Sequence, residues 1–312
     1  MQKSTVGPLS KTYNYKTWNQ TKTIAARFSQ KASSYDQFAA VQKFASDHLD
    51  NQIANNINSA VPSRILEIGC GTGLVSRYLA SRFPKSKIDF IDPAAAMLNL
   101  CEKNVNEHLR LTTTSKNHNF IEKSIENYMS DKLDSPQKYS LIVSSFTLHW
   151  VANLSSVISR LIDSLEIGGQ LFFSYPTNKS FPEWKSVCKK INLPFTGNIL
   201  PNAEELEFFV NHKQAKTAWT EYSYKLAFPN ALEFFRGIKH LGADATFSPK
   251  TPEHTFSTQQ LSIKEFRQLI ATWNQMFSIT DSTKMTKEKS NQYNRMVDCT
   301  YWLVEGIITR HS

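Results

Sequence analysis

The hydrophobic pattern between residues 63 and 175 alternates between two periods. Short apolar runs, which are typical of buried strands, occupy residues 63–68, 88–91, 118–121, 139–144 and 170–175. Helical spacing separates these runs at 73–83 and at 151–165, and a further helix is expected to begin at Pro93. A Gly-Gly pair at 168–169 is expected to end the helix at 151–165. Strands that alternate with helices in this way predict an α/β fold, with a parallel sheet covered by helices on both faces.

The pattern differs at the two ends of the chain. Residues 1–23 form a polar arm, and apolar residues then recur at helical spacing from about Ile24 to Leu49. Later in the chain we predict a helical region at 177–213 with loops at Pro182, Pro194 and Pro201, and helices at about 230–241 and 259–277. We also predict strands at 219–228 and 300–309 and a polar, Lys-rich loop at 280–296. We therefore expect one domain over residues 24–312, in which segments at about 177–213 and 230–297 form helical lids.

The net charge of the chain limits the kinds of molecule that it is expected to bind. The chain has 36 Lys and Arg residues against 27 Asp and Glu residues, a formal net charge of +9. Residues 1–35 contain several basic residues and no acidic one. Nucleic acid, an anionic membrane surface and an acidic protein are the usual partners of such a chain. A mitochondrial transit peptide would also lack acidic residues, but it would be richer in arginine.

Other features favour a cytoplasmic protein without a metal. The four cysteines are far apart and include no CxxC pair, which argues against a zinc site and a disulfide scaffold. No apolar run approaches the ~20 residues that a membrane helix needs, and the N-terminus lacks the apolar core of a secretory signal. The aromatic residues at 219–224 interleave with few basic ones, so we expect neither nucleic acid nor a membrane as partner.

A glycine-rich turn follows the first predicted strand, in the sequence Glu67-Ile-Gly69-Cys-Gly71-Thr-Gly73. Glycines allow positive φ and let a ligand approach the backbone, and a helix that begins there aims free N–H groups at the ligand. A dinucleotide would place its pyrophosphate at this turn, but the carboxylate of Glu67 would repel it. The same carboxylate would attract an ammonium or sulfonium group, which favours S-adenosylmethionine over NAD as the cofactor.

A second acidic residue, Asp92, ends the second predicted strand. An acidic residue at this place can accept hydrogen bonds from both ribose hydroxyls of a nucleoside. It can equally be an ordinary helix N-cap, because it precedes Pro93. The two acidic residues together, in a strand–turn–helix context, predict the S-adenosylmethionine site.

These motifs, with the strand Tyr139–Ser145 and the Leu148-His-Trp150 segment after it, resemble class I methyltransferases. The resemblance implies a Rossmann-like sheet of seven strands, of which the last two, at 219–228 and 300–309, are antiparallel. It implies that the three glycines cradle the amino-acid part of the cofactor, that Asp92 holds the ribose, and that Met97 lies near the adenine with Ala94. Ser124 departs from the family pattern, because the family has an acidic residue at that place.

The candidate cofactor-binding residues come from the turn, the second strand, the third and fourth strand ends and the first helix. They are Glu67, Gly69, Cys70, Gly71, Gly73, Asp92, Pro93, Met97, Ser124, Ile125, Ser144, Ser145 and Tyr35. Tyr35 is seven residues from Phe28 on the first helix, so the two rings can cover the cofactor as a lid or belong to the core. We expect Tyr35 to contact the cofactor or substrate.

Further segments resemble the malonyl-acyl-carrier-protein O-methyltransferases of biotin synthesis. They are found, in the order of that family, at 26–42, 180–184, 199–206, 231–243 and 300–310. The acceptor is then expected to be the free carboxylate of a malonyl thioester on an acyl carrier protein. Such carrier proteins are strongly acidic, so they suit the net charge of +9.

A carboxylate acceptor is ionised at neutral pH and needs no general base, but it needs a cation to orient it. Arg236 and Lys239 lie on one face of a predicted helix, and an arginine offers the planar fork that matches a carboxylate. The alternative for this pair is a solvated helix face. His149 follows the fourth strand and is a candidate general base, although a histidine at such a place can also simply line the pocket.

Two other functions stay open at this point. One is a methyltransferase of the same fold that acts on a different small acid. The other is an assembly factor that keeps the fold and the cofactor pocket but acts on a protein partner, as in a mitochondrial respiratory-complex factor that resembles the same family. The acid-free start of the chain keeps this second alternative open.

Overall fold

The structure is a computed structural model, and it describes residues 11–57, 61–110, 115–131, 138–210, 214–243, 261–280 and 295–312. Side chains of the first helix are described from Lys22 onward.

A mixed β-sheet forms the centre of the fold. Its first five strands are parallel: β1 (Arg64–Ile68), β2 (Lys87–Asp92), β3 (His118–Glu122), β4 (Tyr139–Ser145) and β5 (Leu165–Pro176). The later strands are β6 (Ala215–Phe228), β7 (Ser278–Thr280) and β8 (Arg295–Arg310). The order is β3-β2-β1-β4-β5-β8-β6, and β8 is antiparallel to both β5 and β6. The predicted seven-stranded sheet is therefore confirmed.

The strand β7 is an addition to that sheet. It pairs antiparallel with the first residues of β8, from Ser278↔Val297 to Thr280↔Arg295. Residues 295 and 296 were predicted to belong to a polar loop, but they are the beginning of β8. Hydrogen bonding to β6 and β7 extends this strand beyond its apolar part, which composition alone does not reveal.

Helices flank the sheet on both faces and cover one end of it. They are α1 (Lys11–Phe38), α2 (Ala40–Asn56), α3 (Ser76–Arg82), α4 (Ala95–His108), α5 (Ile125–Asp131), a 3-10 turn (Leu148–Trp150), α6 (Leu154–Ser164), α7 (Pro182–Lys190), α8 (Glu205–Val210), α9 (Ala231–His240) and α10 (Ile263–Met276). The predicted α/β class with late helical segments agrees with this arrangement.

Three helix boundaries differ from the prediction. The helix expected from about Ile24 to Leu49 is two helices separated at the buried Ala39, and the first of them begins at Lys11 inside the predicted polar arm. Both helices share one apolar period, so the pattern cannot reveal a bend between them. The helix α4 begins at Ala95, two residues after Pro93.

The third difference concerns the Gly-Gly pair at 168–169. The helix α6 ends earlier, at Ser164, and both glycines lie within β5. The register of β4 and β5 shifts between Tyr139 and Leu141, and Gly168 takes φ +80° at this irregularity. The glycines therefore accommodate a bulge in the sheet and do not end the helix.

A separate aromatic core holds the lid helices together. Trp273 of α10 is fully buried and packs against Phe234 of α9 and, as a stacked pair with a centroid distance of 6.5 Å, against Trp184 of α7. The helix α7 is joined to the sheet by Glu183, whose carboxylate accepts hydrogen bonds from the Thr300 N–H at 3.0 Å and from its hydroxyl. The lid is thus packed onto β8 as part of the same domain.

Candidate functional site

A large cavity lies at the carboxyl ends of β1, β2 and β4, where open α/β sheets bind their ligands. Its volume is about 1790 Å³, and its walls run from the glycine-rich turn to the lid helices. One end is formed by the predicted cofactor residues and by α1. The other end is formed by α7, α9 and the loop between α7 and α8. We call these the cofactor end and the lid end.

The glycine-rich turn has the backbone conformation that a close ligand needs. Gly71 takes φ +54°, and a Cβ atom built on it would meet no atom within 4 Å, because it would project into open space. Gly69 takes φ +67°, and a Cβ atom there would lie 1.9 Å from the hydroxyl oxygen of Thr147. Only glycine fits these two positions without strain or collision.

Asp92 fixes the shape of this turn. Its Oδ2 accepts a hydrogen bond from the Gly71 N–H at 2.9 Å, and its Oδ1 accepts one from the Ala94 N–H at 2.8 Å. Burial raises the pKa of Asp92 to about 6, against the two backbone hydrogen bonds, which lower it. The N-cap interpretation is wrong, because the N-cap of α4 is Ala94 and no side chain caps that helix. The Asp92 carboxylate holds the turn and lines the cavity, and its contact with the ribose stays a prediction.

Glu67 supplies a buried carboxylate at the cofactor end. It is 2% exposed, lines the cavity, and its Oε2 has no hydrogen-bond partner among the described residues. Burial, opposed by a side-chain hydrogen bond with Ser76 and assisted by the neighbouring Asp92, raises the pKa of Glu67 to about 8. A ligand with a cationic group would satisfy this carboxylate, as the sequence-based argument requires.

Aromatic side chains cover the cofactor end. Tyr35 of α1 lines the cavity, and the Phe28 ring lies 6.3 Å from it and 5.5 Å from the Trp150 ring. The helix is tied to the glycine-rich turn by a hydrogen bond of 2.7 Å from the Thr72 hydroxyl to Asp36 Oδ1. Spacing along the chain gave no sign of this Thr72–Asp36 contact.

The other predicted cofactor residues divide into three groups. Four of them line the main cavity: Cys70, Pro93, Met97 and Ser145. Ser124 and Ile125 line a small adjoining recess of about 60 Å³, which also includes Gly69 and Pro93. Gly73 and Ser144 do not line either space.

The positions of Gly73 and Ser144 have simple physical reasons. Gly73 packs against α4, where a Cβ atom would lie 3.3 Å from the Cys101 Cα, so its small size serves helix packing. Ser144 is fully buried and donates to the Ile68 carbonyl at 3.4 Å, because alternate residues of β4 point to opposite faces of the sheet. Neither residue lines the cavity, and its contact with the cofactor stays a prediction.

His149 lines the cavity but has the properties of a neutral side chain. Burial lowers its pKa to about 3, and its Nδ1 has no partner among the described residues. A base with so low a pKa takes up a proton poorly at neutral pH, so the structure does not support its candidate role as general base. It remains a polar group on the wall.

The predicted acceptor cations do not face the cavity. The Arg236 side chain is 59% exposed, and its guanidinium forms an ion pair with Glu233 at 2.6 Å. Lys239 is exposed as well, whereas Phe235 and Ile238 of the same helix line the cavity. The apolar face of α9 turns inward, so the alternative of a solvated helix face applies to Arg236 and Lys239.

Two other cationic side chains lie on the wall of the cavity. Arg27 of α1 and Lys185 of α7 both line the cavity, as does Gln42 of α2, whose Oε1 is buried without a partner among the described residues. The sequence analysis singled out none of the three as a site residue. Arg27 and Gln42 lie in a family-like segment and Lys185 directly follows one, but only the packing of the helices determines which of their side chains turn inward.

The strand order, the glycine-rich turn at the carboxyl end of β1 and the acid at the end of β2 define a class I methyltransferase. Residues 38–225 match the family described as methyltransferase domain, and the chain belongs to this family. It is a methyltransferase that uses S-adenosylmethionine, and the buried Glu67 carboxylate and the open space above Gly71 fit that cofactor.

The relatives of the chain are more specific. It is 30% identical to malonyl-[acyl-carrier protein] O-methyltransferase 1 of Ilyobacter polytropus, over 73% of this chain and 80% of that one. It is also 30% identical to the biotin biosynthesis bifunctional protein BioCD of Bordetella avium, over 77% of this chain and 47% of that one. The solved structure of YcgJ from Bacillus subtilis shares the fold, with a TM-score of 0.52 and 11% identity over 85% of this chain and 99% of that one.

The described residues include neither a membrane-spanning helix nor a candidate metal site. None of the helices in the described ranges is long and apolar enough to cross a membrane. Within the same ranges, no three His, Cys, Asp or Glu side chains are grouped so that they could hold a metal ion.

The buried Glu67 predicts a pH-dependent affinity for S-adenosylhomocysteine. A ligand with an ammonium group favours the ionised form of Glu67, whose pKa is about 8 before binding. The affinity should therefore rise with pH from ~6.5 toward ~8, by at most about tenfold per pH unit, and then level off. Calorimetry measures it, and Glu67→Gln should give weaker and pH-independent binding. A flat wild-type profile over this range would contradict the role of Glu67.

Proposed function

We propose that this methyltransferase converts the free carboxylate of malonyl-acyl-carrier protein to its methyl ester, in an early step of biotin synthesis. The names of two relatives favour this acceptor, since one is a malonyl-[acyl-carrier protein] O-methyltransferase and the other a biotin biosynthesis protein. The proposal extends these names to a chain of about 30% identity, so it needs support from the site itself.

The observation that carries the proposal is the charge of the cavity wall. The carboxylates at its cofactor end, Glu67 and Asp92, are assigned to the cofactor. Burial raises the pKa of Tyr35 and of Cys70 there, so both stay protonated, and His149 is a poor base with a pKa of about 3. Among the described residues the remaining charged groups on the wall are the cations Arg27 and Lys185. An alcohol, phenol or ammonium acceptor would have to lose a proton here without help. A carboxylate is already ionised and is attracted by both cations.

The catalytic contribution of the chain is then orientation and exclusion of water. S-adenosylmethionine supplies an electrophilic methyl group on its sulfonium sulfur. The glycine-rich turn and Asp92 fix the cofactor end, the aromatic cover formed by Phe28, Tyr35 and Trp150 shields it, and the wall cations hold the acceptor carboxylate. Orientation of this kind supplies roughly 7–11 kcal/mol of a barrier in favourable cases. A chemical group that transfers protons is not needed.

The experiment compares three acceptors side by side with labelled S-adenosylmethionine: malonyl-carrier protein, malonyl-CoA and free malonate. We expect the carrier-bound substrate to have the largest kcat/KM, because the chain has a net charge of +9 and carrier proteins are acidic. Its advantage over malonyl-CoA should shrink as salt is added, since charges are screened over ~10 Å at ~0.1 M salt.

Each other outcome selects an alternative. A ratio of rates that does not change with salt would contradict electrostatic docking of the carrier protein. Transfer to other carboxylic acids but to none of the three malonyl acceptors would favour a different small-acid methyltransferase. Transfer to none of these acids, together with methylation of a polypeptide, would favour the protein-directed alternative.

A further inference from the structure

Lys185 is a cation without a counter-ion at the lid end of the cavity. Its Nζ donates a hydrogen bond to the Asn178 carbonyl and lies 5.4 Å from the centroid of the Phe195 ring. Lysine has three N–H groups, so two remain available for a ligand. In the described part of the chain no Asp or Glu carboxylate forms an ion pair with it, and burial alone lowers its pKa.

Hydrogen bonds that join the start of α7 and the residues before it to β8 hold the backbone that carries Lys185. Ser180 Oγ donates to the Trp302 carbonyl at 3.0 Å and accepts from its N–H at 2.9 Å. Phe181 precedes the helix with φ +62°, and its N–H donates to the Thr300 carbonyl at 2.8 Å. Glu183, in the first turn of the helix, joins it to the same strand through Thr300. The cation therefore projects from a rigid base into the cavity.

The surroundings of Lys185 are apolar and aromatic. Trp184, Phe195, Phe235 and Phe266 line the same end of the cavity, and the Trp184 ring lies 4.5 Å from the Phe195 ring and 4.8 Å from the Phe235 ring. Water is a weaker competitor in such a space, so an ion pair formed there is stronger than one at the surface. A single positive charge surrounded by aromatic side chains favours binding of an anionic group that is attached to a short apolar chain.

We propose that Lys185 binds the carboxylate of the methyl acceptor and selects acceptors that carry a free carboxylate. This inference rests on the proposed function and assigns the acceptor cation that the sequence analysis placed at Arg236. The exposed ion pair of Arg236 with Glu233 leaves that residue no part in the subsite. Lys185 acts by binding the acceptor, so its loss should affect acceptor binding and leave the cofactor end intact.

The test compares Lys185→Met with Lys189→Met, which removes an exposed lysine from the last turn of the same helix. For Lys185→Met we expect the KM for the malonyl acceptor to rise by about tenfold to a hundredfold, the size expected for a lost hydrogen bond to a charged group. The affinity for S-adenosylhomocysteine should not change. Lys185→Arg should recover part of the loss, and Lys189→Met and Arg236→Ala should behave like the wild type with malonyl-CoA.

A binding measurement separates this inference from the proposed function. Calorimetry with the complex of protein and S-adenosylhomocysteine measures the affinity for malonyl-CoA without turnover. If the wild type binds malonyl-CoA but transfers no methyl group to it or to malonyl-carrier protein, and Lys185→Met loses the binding, the proposed function fails and the carboxylate subsite stands. If Lys185→Met binds malonyl-CoA and turns it over like the wild type, the inference is overturned. A large loss of affinity for malonyl-CoA in Arg236→Ala, with none in Lys185→Met, would instead place the carboxylate subsite at α9.

Discussion

Replacing Gly71 with Val is expected to abolish binding of S-adenosylhomocysteine. At φ +54° a Cβ atom on residue 71 projects into the open cofactor end of the cavity, so the valine methyl groups would occupy the space of the ligand. A β-branched residue at positive φ is also strained by about 1–3 kcal/mol, which would shift the turn that Asp92 holds. Calorimetry measures the affinity, and we expect no detectable binding.

Gly168→Val is the matched control for this substitution. Gly168 also has positive φ, +80°, and a Cβ atom there would meet no atom within 4 Å, but it lies in the bulge of β5 and does not line the cavity. Both variants should lose a similar amount of stability through backbone strain, and only Gly71→Val should lose binding. Wild-type affinity in Gly71→Val would contradict the placement of the cofactor.

The largest loss of stability is expected from Asp89→Ala. The Asp89 carboxylate is buried in β2 and accepts four hydrogen bonds, from Asn119 at 2.7 Å, Tyr139 at 2.8 Å, Arg64 at 2.9 Å and Tyr128 at 3.0 Å. Its removal leaves the Arg64 charge and two buried hydroxyls without their shared acceptor. The free energy of unfolding should fall by about 3–5 kcal/mol, as for other broken buried pairs, measured by urea denaturation.

Acid provides a second measurement of the same network. Burial raises the pKa of Asp89, but the hydrogen bonds from Asn119 and Tyr139 and the charge of Arg64 outweigh it, so the pKa lies below its usual value. A carboxylate with a lowered pKa stabilises the fold above the unfolded pKa of ~3.9, and this contribution is lost as the pH falls through the folded-state pKa. The difference between wild type and Asp89→Ala should therefore shrink below pH ~4.

The exposed Asp131 supplies the control for Asp89. Its side chain is 55% exposed and pairs with Lys123 at the surface, so Asp131→Ala should change the free energy of unfolding by at most about 1 kcal/mol. Equal effects of the two substitutions would mean that the Asp89 network contributes no more than a surface ion pair.

The central sheet and the cofactor end were predictable because they depend on local sequence. Parallel strands buried on both faces are continuous apolar runs, and β1, β2, β3 and β4 lie within a residue or two of the predicted ranges. The glycine-rich turn must combine positive φ with close approach, which few residue types permit, so the motif at 67–73 identifies it. The negative charge of Glu67 also indicated the ligand, since a buried carboxylate oxygen without a partner among the described residues favours a cationic group.

The helix boundaries were less predictable because tertiary contacts determine them. The break at Ala39 lies between two helices with one common period, and it leaves no mark in the apolar pattern. The start of α4 is delayed to Ala95 because Asp92 takes the Ala94 N–H as part of the turn. Pairing with its neighbours fixes where β8 begins.

The acceptor end was the least predictable part of the site. Arg236 lies in a segment that resembles the family and was the predicted cation, whereas Lys185 directly follows such a segment and had no predicted role. The direction of each side chain depends on which face of α7 or α9 packs against Trp273 and its neighbours. In the structure that packing turns Lys185 toward the cavity and leaves Arg236 exposed.

The most direct test of the account is the intact mass of the carrier protein after reaction. Malonyl-carrier protein is incubated with the enzyme and S-adenosylmethionine, and tandem mass spectrometry then measures the intact protein and the thioester-linked arm released from it. We expect a gain of the mass of one CH₂ group on the malonyl moiety, dependent on the enzyme and absent from carrier protein that lacks the malonyl group. An unchanged mass, or a gain that lies on the polypeptide, would contradict the proposed function.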